Sequence, residues 1–367
     1  MAELSINVDK LIGNINKLSD SFDKQDVEWS LIVKILNGHR GALEKLLQSD
    51  AIKRVHSVGD SRLSNLRTMK SINPDVVTMY IKPPVQKIAG SIVKYADISL
   101  NSSLSTIKTL DEEARKLGVV HRVIVMIELG ELREGVIREK IFSFYEEAFR
   151  LENIDIIGLG TNLGCLYGIE PTYDKMIQLA LYAQLLETKF GKKLEIVSGG
   201  SSITMPLLRR KKLPKGVNHL RIGETAFLGV TLDDRKRYGK LSTTAFEFKS
   251  EIVEIEKKET VPDGEISDAG IGNLADEVKP LEGAADKSYR CLLDFGQMDS
   301  DAAGLTPKDS NVAFVGSTSD MTVYDVGKES DYHVGDAIKF DCNYMAIAHL
   351  MHSRYINKRI IYNGKTK

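Results

Sequence analysis

The first two-thirds of the chain alternates short apolar runs with amphipathic, helix-like segments, and no other feature constrains the fold as strongly. Residues 105–118, for example, place apolar side chains at three- and four-residue steps and end in a glycine, as helices do. Runs this apolar, alternating with helices, predict a parallel sheet covered on its outer face. Eight such units over roughly 220 residues match a closed (βα)8, or TIM, barrel. We predict its strands at residues 30–34, 54–59, 76–82, 97–101, 121–129, 154–162, 194–200 and 219–224.

The character of the sequence changes after Thr243. Shorter segments with alternating apolar residues and intervening turn residues predict an antiparallel β domain. We therefore predict a barrel in residues 1–235 and a C-terminal antiparallel β domain in residues 236–367. Residues 262–288 are rich in glycine and aspartate and poor in core residues, which indicates a long surface excursion. The predicted β segments of this domain are 243–258, 288–296, 311–326 and 336–350.

Charge and cysteine content argue against several function classes. The 50 basic and 51 acidic residues leave a net charge of −1, so global charge predicts no nucleic-acid or membrane partner. No apolar run reaches the ~18 residues of a membrane span, and the N-terminal segment lacks the basic start and apolar block of a signal peptide. The three cysteines are far apart and odd in number, which argues against a disulfide framework and a CxxC-type metal site. We expect a cytoplasmic protein without a bound metal.

Lys34 ends the apolar run of the first predicted barrel strand and precedes a turn-like Asn37-Gly38-His39 stretch. Function in βα barrels is built at the C-terminal ends of the strands. An ammonium at such a mouth is partly desolvated, which favours the neutral amine, and a neutral amine can attack an aldehyde to form a Schiff base. A lysine that reaches to solvent or to a carboxylate is the alternative, and Lys34 alone does not decide between them.

Two glycine-containing loops follow the seventh and eighth predicted strands, at residues 198–202 and 221–224. Backbone N–H groups in such loops, with a helix N-terminus, form a cradle for anions, and barrels often bind phosphate here. Each glycine alone is also consistent with a turn, and each serine with a helix cap. Together with Lys34, the loops describe a phosphorylated aldehyde, held at one end and linked to an amine at the other, which is pyridoxal 5'-phosphate (PLP). Arg221 fits this cofactor because a guanidinium can donate to the pyridine nitrogen without giving up its proton, although a salt bridge is the alternative.

Several longer motifs, in a definite order and spacing, carry a resemblance to a known family. They lie at residues 5–18, 31–39, 123–136, 156–165, 195–202, 218–229, 292–301, 314–326 and 342–350. On these motifs the chain resembles the PLP-dependent racemases of the alanine racemase fold and looks closest to the ornithine racemase branch. The resemblance covers essentially the whole chain. It implies a (βα)8 barrel followed by a C-terminal β domain, with PLP as the cofactor.

Carried over position by position, the resemblance implies a role for each motif residue. Lys34 would carry the cofactor and act as the base on one face of the substrate. Arg133 would hold the phenolic oxygen of the cofactor or the carboxylate of the substrate. Asn162 would lie against the cofactor ring, and Arg221 would face the ring nitrogen. The phosphate would be held by Ser201, Ser202, the backbone amides of Gly223 and Glu224, and the hydroxyl of Tyr344.

One departure from the family concerns the second base of a two-base racemase. Alanine racemases supply a tyrosine from the partner subunit, and the matching position here is Gln297, which cannot act as a base. The candidates are Asp299, Asp301, Asp320 and a bound water, and we take Asp320 as the catalytic residue. Turn formation and solvated charge are the alternative for each aspartate.

The same acidic residues bear on the substrate. A carboxylate at the pocket mouth stabilises the distal ammonium of ornithine or lysine, and Glu131 is a further candidate for this contact. The resemblance implies a homodimer, and we predict a racemase (an isomerase) that interconverts the L and D forms of a basic amino acid by proton transfer at the α-carbon. The alternatives are a PLP-dependent aldolase or decarboxylase of the same fold and a non-catalytic PLP-binding protein. The decarboxylases place a carboxylate at the ring nitrogen, where this chain has Arg221.

Overall fold

The computed structural model describes residues 1–265, 270, 272–275 and 287–366. The chain forms two compact units, one of Lys10–Thr243 and the other of Met1–Asp9 together with Thr244–Lys367. The domain boundary that the sequence predicts after residue 235 stays a prediction. In the described part of the chain, no helix is both long and apolar enough to cross a bilayer.

The unit Lys10–Thr243 contains a closed barrel of eight parallel strands, which confirms the predicted fold class. Strand β1 (Glu3–Asn7) precedes the barrel and belongs to the other unit. Each barrel strand overlaps the run predicted for it, and the last pairs with the first, Ile222 opposite Leu31. The barrel strands are β2 (Glu28–Ile32), β3 (Ser57–Asp60), β4 (Thr78–Tyr80), β5 (Ile98–Asn101), β6 (His121–Met126), β7 (Ile154–Gly160), β8 (Ile196–Ser198) and β9 (His219–Ile222).

Helices separate successive strands, and α5 shows how the sequence defines one. The side chain of Ser103 caps its N-terminus, Gly118 ends it in the left-handed conformation (φ 67°), and its buried face carries Ile107, Leu110 and Ala114. Short 3-10 turns also occur, two of which, Lys34–Leu36 and Ser202–Thr204, contain predicted site residues. The helices are α1 (Val8–Asp23), α2 (Arg40–Leu47), α3 (Leu63–Ile72), α4 (Ala89–Tyr95), α5 (Leu104–Leu117), α6 (Ile141–Ala148), α7 (Tyr173–Phe190), α8 (Met205–Arg209) and α9 (Glu224–Leu228).

A close approach between β7 and β8 restricts the residue type at Gly158. A Cβ at this position would lie 2.0 Å from the carbonyl oxygen of Ile196. Because packed atoms do not approach that closely, a larger residue would push the two strands apart. A buried apolar cluster of the barrel is formed by Met79, Ile98, Leu100, Ile124, Met126, Ile157 and Ile196.

The second unit is a mostly antiparallel sheet that includes the first strand of the chain. β1 pairs antiparallel with β10 (Phe246–Glu259) and parallel with β17 (Asn357–Tyr362). Its core is aromatic, with the rings of Phe295 and Phe340 centred 5.1 and 5.8 Å from that of Phe248. Rings of this size bury large apolar areas. The other strands are β11 (Asn273–Leu274), β12 (Lys287–Leu293), β13 (Leu305–Pro307), β14 (Ala313–Ser317), β15 (Thr322–Asp325), β16 (Ala337–Cys342) and β18 (Lys365–Thr366).

The strand predicted at residues 336–350 is wrong in its second half. β16 ends at Cys342, and helix α10 (Tyr344–His352) follows. The side chain of Asn343 accepts a hydrogen bond from the N–H of Ala346 at 2.8 Å and so caps this helix. An asparagine before an apolar run is a helix-start signal, and it accounts for the difference.

Most of the surface excursion predicted at residues 262–288 lies outside the described residues. Residues 262–265, which are described, are exposed as a surface segment requires. The described part also contains strand β11, whose Asn273 and Leu274 pair with Ser317 and Gly316.

Candidate active site

Lys34 lies just beyond the C-terminal end of β2, the barrel end at which function is expected. It opens the 3-10 turn Lys34–Leu36 and has an exposed side chain. The chain then reverses through left-handed Asn37 (φ 46°) and Gly38 (φ 69°). A Cβ on Gly38 would meet the side-chain oxygen of Asn65 at 2.5 Å, so glycine is required there. The turn-like sequence after Lys34 therefore leaves its amine at the barrel end.

Asp60, at the end of β3, is a carboxylate that the sequence analysis missed. It is fully buried, and it accepts hydrogen bonds from the N–H of Arg62 at 2.8 Å and the side-chain amide of Asn65 at 3.1 Å. Burial raises the pKa of Asp60, while these hydrogen bonds and the charge of Lys34 act in the opposite direction. An aspartate directly after the strand predicted at residues 54–59 is the signal that the sequence contains. Asp60 is thus a buried carboxylate that interacts electrostatically with Lys34.

Arg221, on β9, is a buried cation held by neutral groups. It is 5% exposed, and its Nη1 donates to Ser198 Oγ at 2.5 Å while its Nη2 donates to the carbonyl of Thr161 at 2.8 Å. Burial lowers the pKa of Arg221 to about 10, so the guanidinium remains charged at neutral pH. No carboxylate among the described residues forms an ion pair with it. Its charge is therefore left for a ligand.

A chain of buried hydroxyl and imidazole groups continues from Arg221. Ser198 Oγ lies 2.8 Å from Nδ1 of His219, whose Nε2 lies 2.8 Å from Ser30 Oγ. Ser30 Oγ in turn lies 2.7 Å from Ser57 Oγ. Because a guanidinium can only donate, Ser198 Oγ accepts from Arg221, and the tautomer of His219 sets the direction of its hydrogen bond with Nδ1. Burial lowers the pKa of His219 well below its ordinary range, so the ring is neutral and adds no charge beside the arginine.

Arg133 lies in the loop that follows β6 and contacts three side chains. Its guanidinium forms a two-pronged ion pair with Glu134, in which Nη2 lies 2.6 Å from Oε1 and Nε contacts Oε2. Nη1 contacts Sγ of Cys165, and Asn162, with its amide oxygen turned toward the guanidinium, accepts from Nη1 at 3.2 Å. Glu134 raises the pKa of Arg133, although burial opposes this. Arg133 is therefore a charge-compensated cation, unlike Arg221.

The loops after β8 and β9 meet at Ser202. Its hydroxyl oxygen accepts hydrogen bonds from the N–H groups of Gly223 and Thr225, both at 3.3 Å. The hydroxyl of Thr225 is buried and has no hydrogen-bond partner within the described ranges. Glu224 is the first residue of α9, and its carboxylate pairs with Arg235. Its side chain is therefore engaged, and its backbone N–H is the group to which the resemblance gives a phosphate contact.

Five of the residues singled out in the sequence, namely Tyr344, Gln297, Asp320, Asp299 and Asp301, belong to the second unit. Tyr344 is the first residue of α10 and is half-buried. Gln297 donates from Nε2 to the carbonyl of Ser317 at 2.8 Å. Asp320 is exposed and accepts a hydrogen bond from the hydroxyl of Ser319 at 2.8 Å.

Asp299 and Asp301 have structural contacts within the same unit. Asp299 is 9% exposed and accepts a hydrogen bond from the hydroxyl of Ser353 at 2.5 Å. Asp301 accepts from the N–H of Ala303 at 2.9 Å and caps a short 3-10 turn. These contacts favour turn formation and packing as the role of both residues.

Glu131, which the sequence places at the pocket mouth, is buried instead. Only 1% of its surface is exposed, and its carboxylate accepts hydrogen bonds from five backbone N–H groups in the loop that follows β7. This differs from the expectation that Glu131 binds a substrate ammonium, because its oxygens are occupied by the chain itself. The donors are the N–H groups of Gly164, Cys165, Leu166, Tyr167 and Ile169.

Contacts at the ends of β7, β8 and β9 therefore connect several of the predicted barrel residues. Thr161 holds Arg221 through its carbonyl, and Asn162, the next residue, contacts Arg133. Ser201, which is half-buried, precedes Ser202 in the loop after β8. Two polar residues of this barrel end, Asp60 and Glu134, were not predicted from the sequence, and neither was His219, the first residue of β9, which contacts Ser198.

Comparisons with known proteins agree with this architecture. The family description "Alanine racemase, N-terminal domain" matches residues 6–230. The chain is 34% identical over 365 residues to an ornithine racemase of Acetoanaerobium sticklandii, covering 98% of this chain and 99% of that protein. It is 30% identical over 355 residues to a lysine racemase of Thermotoga maritima, covering 97% of each. A solved alanine racemase of Clostridium difficile 630 shares the fold, with a TM-score of 0.73 at 19% identity, covering 100% of this chain and 97% of that one.

The chain combines a closed parallel barrel with a mostly antiparallel sheet, and basic and hydroxyl side chains lie at the ends of the barrel strands. This combination defines a barrel protein of the alanine racemase fold. The chain belongs to the alanine racemase family, which confirms the resemblance in its motifs. Alanine racemases of this family depend on PLP.

Proposed function

We propose that the protein is a PLP-dependent amino-acid racemase that acts on a basic amino acid such as ornithine or lysine. The observation that carries this proposal is the similarity, over nearly the whole chain, to two racemases named for basic amino acids, at 34% and 30% identity. The barrel end supports it, because it gathers cations, hydroxyls and backbone N–H groups that suit an anionic, phosphorylated cofactor.

The residues of the barrel end fit PLP in three respects. Lys34 offers an exposed amine beyond a strand end. Ser202, the N–H of Gly223 and the unpartnered hydroxyl of Thr225 suit a phosphate, which needs several donors. Arg221 is a buried cation whose contacts are neutral, so it suits an acceptor such as the ring nitrogen. We therefore assign Arg221 to the ring nitrogen and assign the phosphate to Ser201, Ser202, Gly223, Glu224 and Tyr344.

When bound, PLP supplies an aldehyde that links to amines and a ring that acidifies the hydrogen on the α-carbon of the substrate. Lys34 Nζ accepts or returns the proton at that carbon on one face. Arg221 keeps its own proton, so it would hold the ring nitrogen by a hydrogen bond and leave it unprotonated. Arg133, already oriented by Glu134, would hold the phenolic oxygen of the cofactor or the substrate carboxylate, and Asn162 would lie against the ring.

The direct test incubates the PLP-loaded protein with L-ornithine or L-lysine in heavy water. We expect α-deuterium by mass spectrometry and the D enantiomer by chiral chromatography. Lys34→Ala should abolish both, whereas Lys82→Ala, which removes an exposed lysine after β4, should retain both. A protein that binds PLP but neither exchanges nor inverts the α-carbon would be a carrier, and carbon dioxide or aldehyde release would indicate a decarboxylase or an aldolase.

Asp320 is the proposed proton-transfer group on the opposite face of the α-carbon. Gln297 cannot transfer a proton, Asp299 is buried against Ser353, and Asp301 caps a 3-10 turn. Asp320 is exposed and accepts from the hydroxyl of Ser319 without capping a turn or helix. Asp320→Asn should preserve deuterium exchange from one enantiomer while inversion falls. The matched control is Asp301→Asn, and identical behaviour of the two variants would remove Asp320 from the mechanism.

Assembly and location are the remaining parts of the proposal. The family resemblance supports a homodimer, and the free state of Cys165, Cys291 and Cys342 is consistent with a reducing cytoplasm. Light scattering on the PLP-loaded protein tests the first, with a monomer mass contradicting it. Fractionation of expressing cells tests the second.

A further inference from the structure

We propose that Glu131 is a positioning residue for Arg133, acting through the loop of residues 163–169 and the side chain of Cys165. The consequence for catalysis rests on the proposed racemase function, in which Arg133 holds the cofactor or the substrate. The structural part, that Glu131 orders the loop, stands on contacts within the barrel unit alone.

The carboxylate of Glu131 is the hydrogen-bonding centre of this loop. Oε1 accepts from the N–H groups of Cys165 at 2.7 Å, Tyr167 at 2.9 Å and also Leu166. Oε2 accepts from Gly164 at 2.9 Å and, at 3.1 Å, from the N–H of Ile169. A single side chain thus satisfies most of the backbone donors of the segment, in the manner of an anion held by a nest of amides.

Apolar burial anchors the first residue of the loop, Leu163, which is 1% exposed, but not its middle. The side chains of Leu166 and Tyr167 are 59% and 67% exposed, so these residues contribute little apolar burial. Gly164 and Gly168 adopt left-handed conformations (φ 67° and 74°), which turn successive N–H groups inward. The conformation of the segment therefore depends on the carboxylate at its centre.

Cys165 connects the loop to Arg133. Its N–H donates to Glu131, while its Sγ contacts Nη1 of Arg133. Burial alone raises the pKa of Glu131, but the amide donors lower it to about 2, so the carboxylate is ionised throughout the working pH range. Loss of the anion would release the loop, and with it one of the three side chains that contact the guanidinium.

The first experiment measures the loop without cofactor or substrate, by the rate at which a disulfide reagent modifies the apo protein. Cys165 is exposed, whereas burial raises the pKa of Cys291 to about 11 and that of Cys342 to about 12, so Cys165 dominates the signal. Cys165→Ser should remove the signal. We expect Glu131→Gln to accelerate modification roughly tenfold, and Glu170→Gln, an exposed glutamate just beyond the loop, to leave it unchanged.

The second experiment measures racemisation. Glu131→Gln should lower kcat/KM by on the order of tenfold to a hundredfold, and it should alter the same parameter, kcat or KM, that Arg133→Lys alters. Glu131→Asp, which keeps the charge, should recover part of the loss. In the Arg133→Lys background, Glu131→Gln should add little, because both changes act on the same contact.

The outcomes separate the two proposals. An unchanged thiol rate in a folded Glu131→Gln protein would overturn the ordering of the loop, even if the enzyme racemises as proposed. A changed thiol rate with kinetics that add fully to those of Arg133→Lys would overturn the link to the arginine. If Glu131→Gln does not fold, Glu131→Asp carries both measurements, and Cys165→Ala, which has no thiol to modify, carries the kinetic measurement. If the parent protein shows no racemisation, the proposed function fails while the thiol result still decides the loop.

Discussion

The barrel end holds its two candidate arginines in opposite ways. Arg221 is part of the strand wall, is 5% exposed, and contacts a hydroxyl and a carbonyl. Arg133 is part of a loop, its side chain is 37% exposed, and it pairs with the carboxylate of Glu134. Burial lowers the pKa of Arg221 to about 10, whereas Glu134 raises the pKa of Arg133.

The difference concerns what fixes each guanidinium. Neutral partners orient Arg221 without cancelling its charge, which costs folding free energy but leaves the charge to a ligand. The charge of Arg133 is already cancelled, so what the loop adds is orientation. We therefore expect the barrel strands to fix the orientation of Arg221, and the orientation of Arg133 to depend on the order of its loop.

Replacing Arg221, the arginine on strand β9, should have the largest effect on catalysis. Arg221→Glu puts an acid where an unprotonated ring nitrogen is expected, so we predict a loss in kcat/KM on the order of a thousandfold and the appearance of transamination products. Chiral chromatography and a keto-acid assay measure both. Arg210→Glu, an exposed site after α8, is the control. An unaltered product profile would count against contact between Arg221 and the ring nitrogen.

Replacing Arg133, the arginine in the loop after β6, should have a smaller effect on catalysis. Arg133→Lys keeps the charge but loses the fork that pairs with Glu134 and reaches Asn162 and Cys165, so we predict a loss in kcat/KM of roughly a hundredfold. Steady-state kinetics show whether KM or kcat carries the loss, which separates substrate-carboxylate binding from contact with the cofactor oxygen. A loss larger than that of Arg221→Glu would reverse the comparison.

Low pH should selectively weaken the hydrogen bonds by which Glu131 orders the loop of residues 163–169. The pKa of Glu131 in the folded state, about 2, lies below its ordinary 4.5, so its stabilisation is fully present above 4.5 and is lost as the pH falls toward 2. We predict that Glu131 contributes roughly 2 kcal/mol of the free energy of unfolding lost between about pH 6 and about pH 3. Urea denaturation at both pH values measures this loss, and Glu131→Gln should lack that part of it. Equal losses in parent and variant would contradict the prediction.

Substitutions in the buried hydrogen-bond network from Ser198 to Ser57 should have the smallest effects on catalysis, and these effects should decrease with distance from Arg221. Ser198→Ala removes the acceptor of Nη1 and leaves a buried donor unpaired, for which we predict roughly a tenfold loss in kcat/KM. Ser57→Ala, at the far end of the network, should cost less. Racemisation kinetics, with thermal unfolding as the check on folding, measure both variants. Equal losses would show that the two serines act through stability rather than through the orientation of Arg221.

Much of the barrel could be predicted because its strands are buried on both faces. Segments 121–129 and 154–162 each contain a continuous apolar run, at residues 123–127 and 156–160, and the C-terminal ends of such strands locate a site by geometry alone. The helix Tyr344–His352 was missed because an apolar segment of this length suits either element, and only Asn343 marks its start.

The arrangement of the site was harder to predict, for a physical reason. Glu131 contacts residues more than thirty positions away, and His219 reaches Ser30 on the neighbouring strand β2, 189 positions away in the sequence. Such partners are set by strand order and register rather than by local pattern. From the sequence alone, a carboxylate in a loop therefore suggests contact with a ligand. In the folded chain, the five hydrogen-bond donors to Glu131 are backbone N–H groups of the protein itself.

The place of β1 has a consequence for how the chain is synthesised. This strand is synthesised before the barrel, yet its hydrogen-bonding partners lie in Phe246–Glu259 and Asn357–Tyr362. Domains generally fold as they emerge, and the barrel strands, which end at Ile222, can pair before those partners exist. A strand synthesised before the barrel is thus incorporated after it, so a fusion placed directly before β1 should delay closure of the sheet more than assembly of the barrel.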